Sequence, residues 1–181
     1  MIDDFDHRNP FFLETLRGEL IENCGLPVFV FTCCCNKNQP FEGTVEEVGR
    51  NFLELRIASN TEVIIPLENV VAFRETGTGP AISRCGSRQI FRNRIAQLIG
   101  RCVTVPWCLC NEIRVPTGIL GEVGLNFLEL NNVNNTGQNL ILEFSTVCSV
   151  MTAMCPTGTP TPTPTPTSTT TMMWLKSKEL F

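Results

Sequence analysis

The chain has 181 residues, of which 43% are hydrophobic and 18% charged, so most of it can fold around a core instead of remaining disordered. Its formal net charge of −4, without a visible basic face, argues against a nucleic-acid-binding surface. No apolar run reaches the ~18 residues of a membrane span, and the acidic start lacks the basic and apolar regions of a secretory signal. We therefore expect a protein that is made in the cytoplasm and does not enter a membrane.

An internal repeat organises most of the sequence. The segment 25–55 aligns with 100–130 without a gap, and the match ends on an identical run, Asn-Phe-Leu-Glu-Leu. The segment 63–67 then aligns with 140–144, so the second repeat is slightly longer in an Asn-rich loop, where insertions are tolerated. Such self-similarity indicates two copies of one structural unit.

Each repeat is predicted to begin with a short helix, because a capping signal precedes apolar residues at helical spacing and a glycine ends the pattern. In the first repeat the capping pair is Asn9-Pro10, the apolar stripe is Leu13, Leu16 and Leu20, and the glycine is Gly25. In the second repeat the cap is Ser87, the stripe is Phe91, Ile95 and Leu98, and the glycine is Gly100.

Five short strands are predicted after the helix, in the first repeat at 26–32, 43–48, 52–57, 62–65 and 70–73. A helix and five short strands cannot bury an apolar face as a flat sheet, so each repeat is expected to curl into a small bent barrel. Glycines at matching positions are expected at the bends: Gly43, Gly49, Gly118 and Gly124.

The predicted fold class is therefore mainly β, with two tandem five-stranded barrels of the Sm-like or SH3-like kind, each carrying an N-terminal helix. One continuous open sheet would contradict this prediction. The expected domains are a first barrel at 1–76, an inter-barrel linker at 77–86, a second barrel at 87–155, a Pro/Thr-rich linker at 156–171 and a C-terminal docking peptide at 172–181.

The C-terminal region is predicted to act as a tethered peptide. Alternating Pro and Thr favours an extended polyproline conformation that cannot form a core. The peptide after it is apolar at both ends and too short to fold alone, so we expect it to dock on a partner, with packing against its own barrels as the alternative. The docking candidates are Met173, Trp174, Leu175, Leu180 and Phe181.

Cysteine is the unusual component, because the chain has ten cysteines and no export signal. The first strand of each repeat ends in matching cysteines: Cys33, Cys34 and Cys35 in the first repeat, and Cys108 and Cys110 in the second. Residues two apart in an extended segment point the same way, and a disulfide within such a pair is strained. Each pair is therefore expected to react with thiols elsewhere or to contribute to a Zn site, although structural Zn sites usually separate their cysteines by two residues.

Three roles for the cysteines remain open: disulfide cross-links between chains, metal binding, and incidental thiols. Cys85, in the linker, and Cys155, before the Pro/Thr segment, are expected to be accessible and to join the cross-linking or metal candidates. Cys24, Cys102 and Cys148 are expected to be small residues of the core.

The sequence offers no catalytic set, so we expect a protein that is not an enzyme and has no cofactor unless Zn is bound. The single histidine, His7, cannot serve several roles at once. Glu46, Glu47, Glu54 and Glu129 are expected to be solvated carboxylates on strand faces.

The order of these motifs resembles the Sm-like fold, with a Gly-led strand, the segment Val-Gly-x-Asn-Phe-Leu-Glu-Leu and a strand that enters Ile-Pro-Leu-Glu-Asn-Val-Val-Ala-Phe. More narrowly, residues 10–151 resemble the tandem barrels of the spore coat protein B-like family of endospore-forming bacteria. The resemblance implies a structural role in a spore coat or exosporium, at the spore surface. It also implies homo- or hetero-oligomers with other coat proteins or with itself.

The alternative is an Sm-like RNA-binding module or a protein scaffold. Sm-type rings that bind RNA carry an Asp and an Asn near the third strand and an Arg-Gly or Lys-Gly in the fourth-strand region. Here Asn51 and Asn126 are displaced by a residue, and no Asp precedes them. With the acidic balance of the chain, this pattern predicts no nucleic-acid partner.

Overall fold

A computed structural model describes residues 10–33, 40–58, 61–77, 85–109 and 112–154. Two helices and twelve strands lie in these ranges. The first repeat contains α1 (Pro10–Glu22), β1 (Pro27–Thr32), β2 (Phe41–Val48), β3 (Phe52–Ala58), β4 (Thr61–Pro66) and β5 (Val70–Glu75). The second repeat contains α2 (Phe91–Ala96), β6 (Cys102–Thr104), β7 (Trp107–Leu109), β8 (Glu112–Arg114), β9 (Thr117–Val123), β10 (Phe127–Asn131), β11 (Leu140–Glu143) and β12 (Val150–Thr152).

Ten of these strands form one antiparallel sheet in the order β11-β10-β9-β6-β12-β4-β3-β2-β1-β5, and β7 and β8 form a separate hairpin. The protein is mainly β, as predicted. Two separate barrels are not confirmed, because strands of both repeats are hydrogen-bonded into one continuous sheet that does not close. The physical reason is that an edge strand has unsatisfied N–H and C=O groups, and the tethered second repeat supplies a strand to pair with them.

The two repeats use the same strand order within the sheet. The first contributes β4-β3-β2-β1-β5 and the second contributes β11-β10-β9-β6-β12. Matching residues also keep matching partners: Phe29 of β1 lies opposite Arg74, and their counterparts in the sequence alignment, Thr104 and Met151, lie opposite each other. This agreement supports the predicted duplication.

Each repeat has its own apolar core, but side chains of the first repeat also belong to the core of the second. Leu20, Val45 and Leu55 belong to the core of the first repeat. Phe52 and Ile64, which are also first-repeat residues, pack instead into the core of the second repeat. The first repeat therefore covers one side of the second.

A glycine follows each helix within four residues, although α2 ends at Ala96, before Leu98 of the predicted stripe. Gly25 and Gly100 follow α1 and α2 with φ of 77° and 84°, a left-handed conformation that glycine adopts without a steric penalty. Ser87 does not cap α2, contrary to the prediction; its hydroxyl donates to Glu47 Oε1 at 2.5 Å. The first amide of α2, Phe91 N, instead donates to Asn51 Oδ1 at 2.7 Å, so a side chain of the first repeat satisfies it.

Gly43 lies where β2 and β3 approach each other too closely for a side chain, because a Cβ there would be 2.7 Å from the carbonyl oxygen of Arg56. Gly43→Ala is expected to lower the free energy of unfolding by about 1–3 kcal/mol, since backbone must shift to make room. Gly18→Ala is the matched control, because a Cβ at that exposed position of α1 contacts nothing within 4 Å. Chemical denaturation should show Gly18→Ala stabilised by about 0.5–1 kcal/mol, and equal effects of the two changes would refute the close approach.

Candidate functional site

One disulfide joins the turn after α1 to the segment between the repeats. Cys24 and Cys85 are bonded, with Cα atoms 5.7 Å apart. The prediction that Cys85 is an accessible cross-linking or metal-binding thiol is therefore wrong, and Cys24 is a disulfide partner as well as a core residue. Sequence could not pair them, because the contact depends on how the linker returns to α1 and β2: Val48 N donates to the carbonyl of Cys85 at 2.8 Å.

The other described cysteines differ in exposure and in disulfide bonding. Cys33 is exposed, and Cys148 is buried as predicted, with its Sγ 3.9 Å from Cys108 Sγ. Cys102 and Cys108 are disulfide-bonded, which corrects the assignment of Cys108 as a cross-linking or metal candidate. Cys102 is half-buried and not a fully buried core residue.

The remaining cysteine candidates, Cys34, Cys35, Cys110 and Cys155, lie outside the described residues, as does the docking tail of Met173, Trp174, Leu175, Leu180 and Phe181. Their cross-linking and docking roles stay predictions.

The cluster with metal-like spacing in the described ranges consists of carboxylates. Oxygens of Glu46, Glu54 and Glu62 lie within 4.8 Å of one another. Arg56 forms an ion pair with Glu46, and Arg94 forms ion pairs with Glu54 and Glu62. Two guanidinium groups therefore offset two of the three negative charges, and we interpret the cluster as an ion-pair network.

Arg94 of α2 carries the most buried charge interaction between the repeats. Its Nε donates to Glu54 Oε2 at 2.6 Å and its Nη2 donates to Glu54 Oε1 at 2.8 Å, a bidentate pair. Nη2 also lies 3.1 Å from Glu62 Oε2. The hydrogen bond that Arg94 donates to Glu54 raises the pKa of its guanidinium above its ordinary value, and the charges of Glu54 and Glu62 add to this against the opposing effect of burial.

Glu54 was predicted to be a solvated carboxylate, and the structure corrects this: the residue is only 4% exposed. The alternation of β3 places Glu54 beside Phe52, on the face that the second repeat covers. No sequence pattern pointed to Arg94 as the partner of Glu54. The signal available in the sequence was a glutamate between two leucines, Leu53 and Leu55, in a segment that both repeats share. Both leucines are buried in the structure.

Strand pairing completes the joint between the repeats. β12 lies antiparallel to β4, with Val150 opposite Ile64 and Met151 opposite Val63. At the end of this pairing the amide of Glu62 donates to Thr152 Oγ1 at 2.9 Å. We call this pairing, with the Arg94 ion pairs, the inner joint.

The sheet ends in two strands that are hydrogen-bonded on one side only, among the residues that the structure describes. These outer edges are β5, from the first repeat, and β11, from the second. On β11 the side chain of Ile141 is 66% exposed. On β5 the guanidinium of Arg74 lies over the ring of Phe29, 4.9 Å from its centroid. An edge strand with an exposed apolar side chain is a ready surface for another strand.

Comparison with known proteins adds no assignment: no protein-family model and no curated protein matches the chain. Neither α1 nor α2, the helices of the described ranges, is long and apolar enough to cross a membrane.

Proposed function

We propose that the protein is a structural component that self-associates into a layer such as a spore coat or exosporium, and that it has no enzymatic activity. The observation that carries this proposal is the ten-stranded sheet with its two outer edges, β5 and β11, each of which pairs with only one other strand among the described residues. Natural proteins usually protect such edges with charge, bulges or covering segments, whereas β11 presents Ile141 to solvent. The location in a coat rests on the family resemblance of the sequence.

Each repeat in this proposal is a bent, partly open barrel of the Sm-like or SH3-like kind. Support comes from the common strand order, the separate apolar cores, and the irregular register between β2 and β3, which recurs between β9 and β10. Bulges of this kind increase the local bend of a strand. The barrels then act as rigid units that share one sheet.

Disulfides are proposed to reinforce the assembly. The Cys24–Cys85 bond supports this proposal, because it shows that the fold brings together cysteines 61 residues apart in sequence. The candidates for bonds between chains are Cys33, which is exposed, and those of Cys34, Cys35, Cys110 and Cys155 that do not pair with Cys102 or Cys108. The tail after the Pro/Thr segment is proposed to dock on other components of the layer.

Sedimentation velocity of the purified full chain tests this proposal. We expect concentration-dependent association, with a covalent fraction that disappears when a reductant is added. Non-reducing and reducing gels of protein taken from its natural location should show the same change. A chain that stays monomeric at all concentrations, with or without reductant, would overturn the proposed function.

A further inference from the structure

The inner joint provides a template for contacts between chains. It pairs the fourth strand of the first repeat, β4, with the last strand of the second repeat, β12. The two outer edges are the counterparts of these strands. Among the strands of the ten-stranded sheet, in chain order, β11 is the fourth from the second repeat and β5 is the last from the first. Each chain therefore has, at its two ends, the complementary halves of a joint that it has already formed once internally.

Burial differs between the two repeats at the positions that form the inner joint. Ile64 is 0% exposed because it packs in the core of the second repeat, whereas its counterpart in the sequence alignment, Ile141, is 66% exposed. Phe52 is also fully buried in that core, whereas its counterpart Phe127 is only half-buried. Phe127 and Ile141 of the second repeat are thus partly or largely exposed, whereas their counterparts in the first repeat are buried in the core of the second repeat.

We propose that β11 of one chain pairs with β5 of a second copy of this chain, antiparallel and in the register of the inner joint. Replacing each residue of the inner pairs by its counterpart in the other repeat places Ile141 opposite Phe73, and Leu140 opposite Arg74, of the second copy. This inference rests on the proposed function, and it specifies the strands through which the chains self-associate. A second copy is the favoured partner because the complementary edge is present on the same molecule.

The contact is head-to-tail, so it uses two different surfaces. A chain that has used β11 still has a free β5, and its neighbour still has a free β11. Assembly therefore continues past the dimer, either closing into a ring or extending as a filament.

Charge makes the outer joint weaker than the inner one. The counterpart of Arg94 on α1 is Glu19, and the counterpart of Glu54 is Glu129. The inner joint thus has a bidentate ion pair where the outer joint brings two carboxylates together. We expect the inner joint to be permanent and the outer joint to be reversible.

Four full-chain variants test the pairing by sedimentation velocity under reducing conditions. Ile141→Lys is expected to weaken association by about tenfold or more, because it places a charge where the inner joint buries isoleucine. Glu19→Arg is expected to strengthen association by about three- to tenfold, because it restores the opposite charge facing Glu129.

The controls make the same chemical changes away from the predicted contact. Val115→Lys alters a residue that is 54% exposed between β8 and β9, and Glu22→Arg alters an exposed residue at the end of α1. Both are expected to associate like the wild type. Circular dichroism and thermal unfolding establish that each variant is folded.

The outcomes separate this inference from the proposed function. If the wild type associates and both Ile141→Lys and Glu19→Arg behave like it, the head-to-tail pairing is overturned while self-association stands. Association that stops at a dimer, or binding of only a different protein at β11, also overturns it. A wild type that never associates overturns both.

Discussion

Arg94→Met is expected to lower the free energy of unfolding by about 3–5 kcal/mol, because it leaves Glu54 buried without its partner. The side chains of Arg94 and Glu54 are only 12% and 6% exposed, so water cannot replace the lost ion pair. Chemical denaturation followed by circular dichroism measures the change. The double variant Arg94→Met/Glu54→Leu should recover most of the loss, since it removes the uncompensated charge.

The matched control for this prediction is Arg114→Met. Arg114 pairs with Glu112 at 3.0 Å, but their side chains are 63% and 70% exposed. An exposed pair contributes about 0–1 kcal/mol, so this variant should unfold nearly like the wild type. Equal losses for Arg94→Met and Arg114→Met would show that the inner joint does not bury its charges.

Replacing both Cys24 and Cys85 by serine is expected to destabilise the protein by about 4 kcal/mol, because the disulfide closes a long loop that the unfolded chain would otherwise leave open. The bonded cysteines are 61 residues apart in sequence, and their loop includes all five strands of the first repeat. The double variant and the wild type should be compared without reductant, because a reductant would also break the disulfides of Cys102 and Cys108.

Mass spectrometry of the unreduced wild type provides the direct check on this disulfide. It should find a peptide that links Cys24 to Cys85. Loss of stability much below about 1 kcal/mol in the double variant, or a different partner for Cys85, would contradict the pairing.

The sequence allowed the individual elements to be predicted because their signals are local. The segment 52–57 was predicted as a strand from its alternating residues, and β3 covers Phe52–Ala58. The helical stripe and terminal glycine likewise located α1 and α2 within a few residues. The duplication followed from direct comparison of the two halves, and the common strand order of the repeats agrees with it.

The arrangement of the repeats was not predictable in the same way, because it depends on contacts between distant residues. Phe52 and Glu54 alternate with buried leucines, a pattern typical of a solvated strand face, yet the second repeat covers that face. No local pattern distinguishes Ile64, at the inner joint, from the exposed Ile141. The single continuous sheet was missed for this reason, and the pairing of Cys24 with Cys85 was missed because spacing does not determine disulfide connectivity.

Amide hydrogen exchange at two protein concentrations tests edge-to-edge pairing most directly. In the dilute chain, β4 and β12 should be protected from exchange, while the amide of Ile141 on β11 should exchange rapidly. At concentrations where the chain associates, Ile141 and the amides of β5 that do not bond to β1 should become protected, and β4 and β12 should stay as they were. Rapid exchange of β4 and β12 in the dilute chain, or unchanged exchange of Ile141 in the associated chain, would contradict the account.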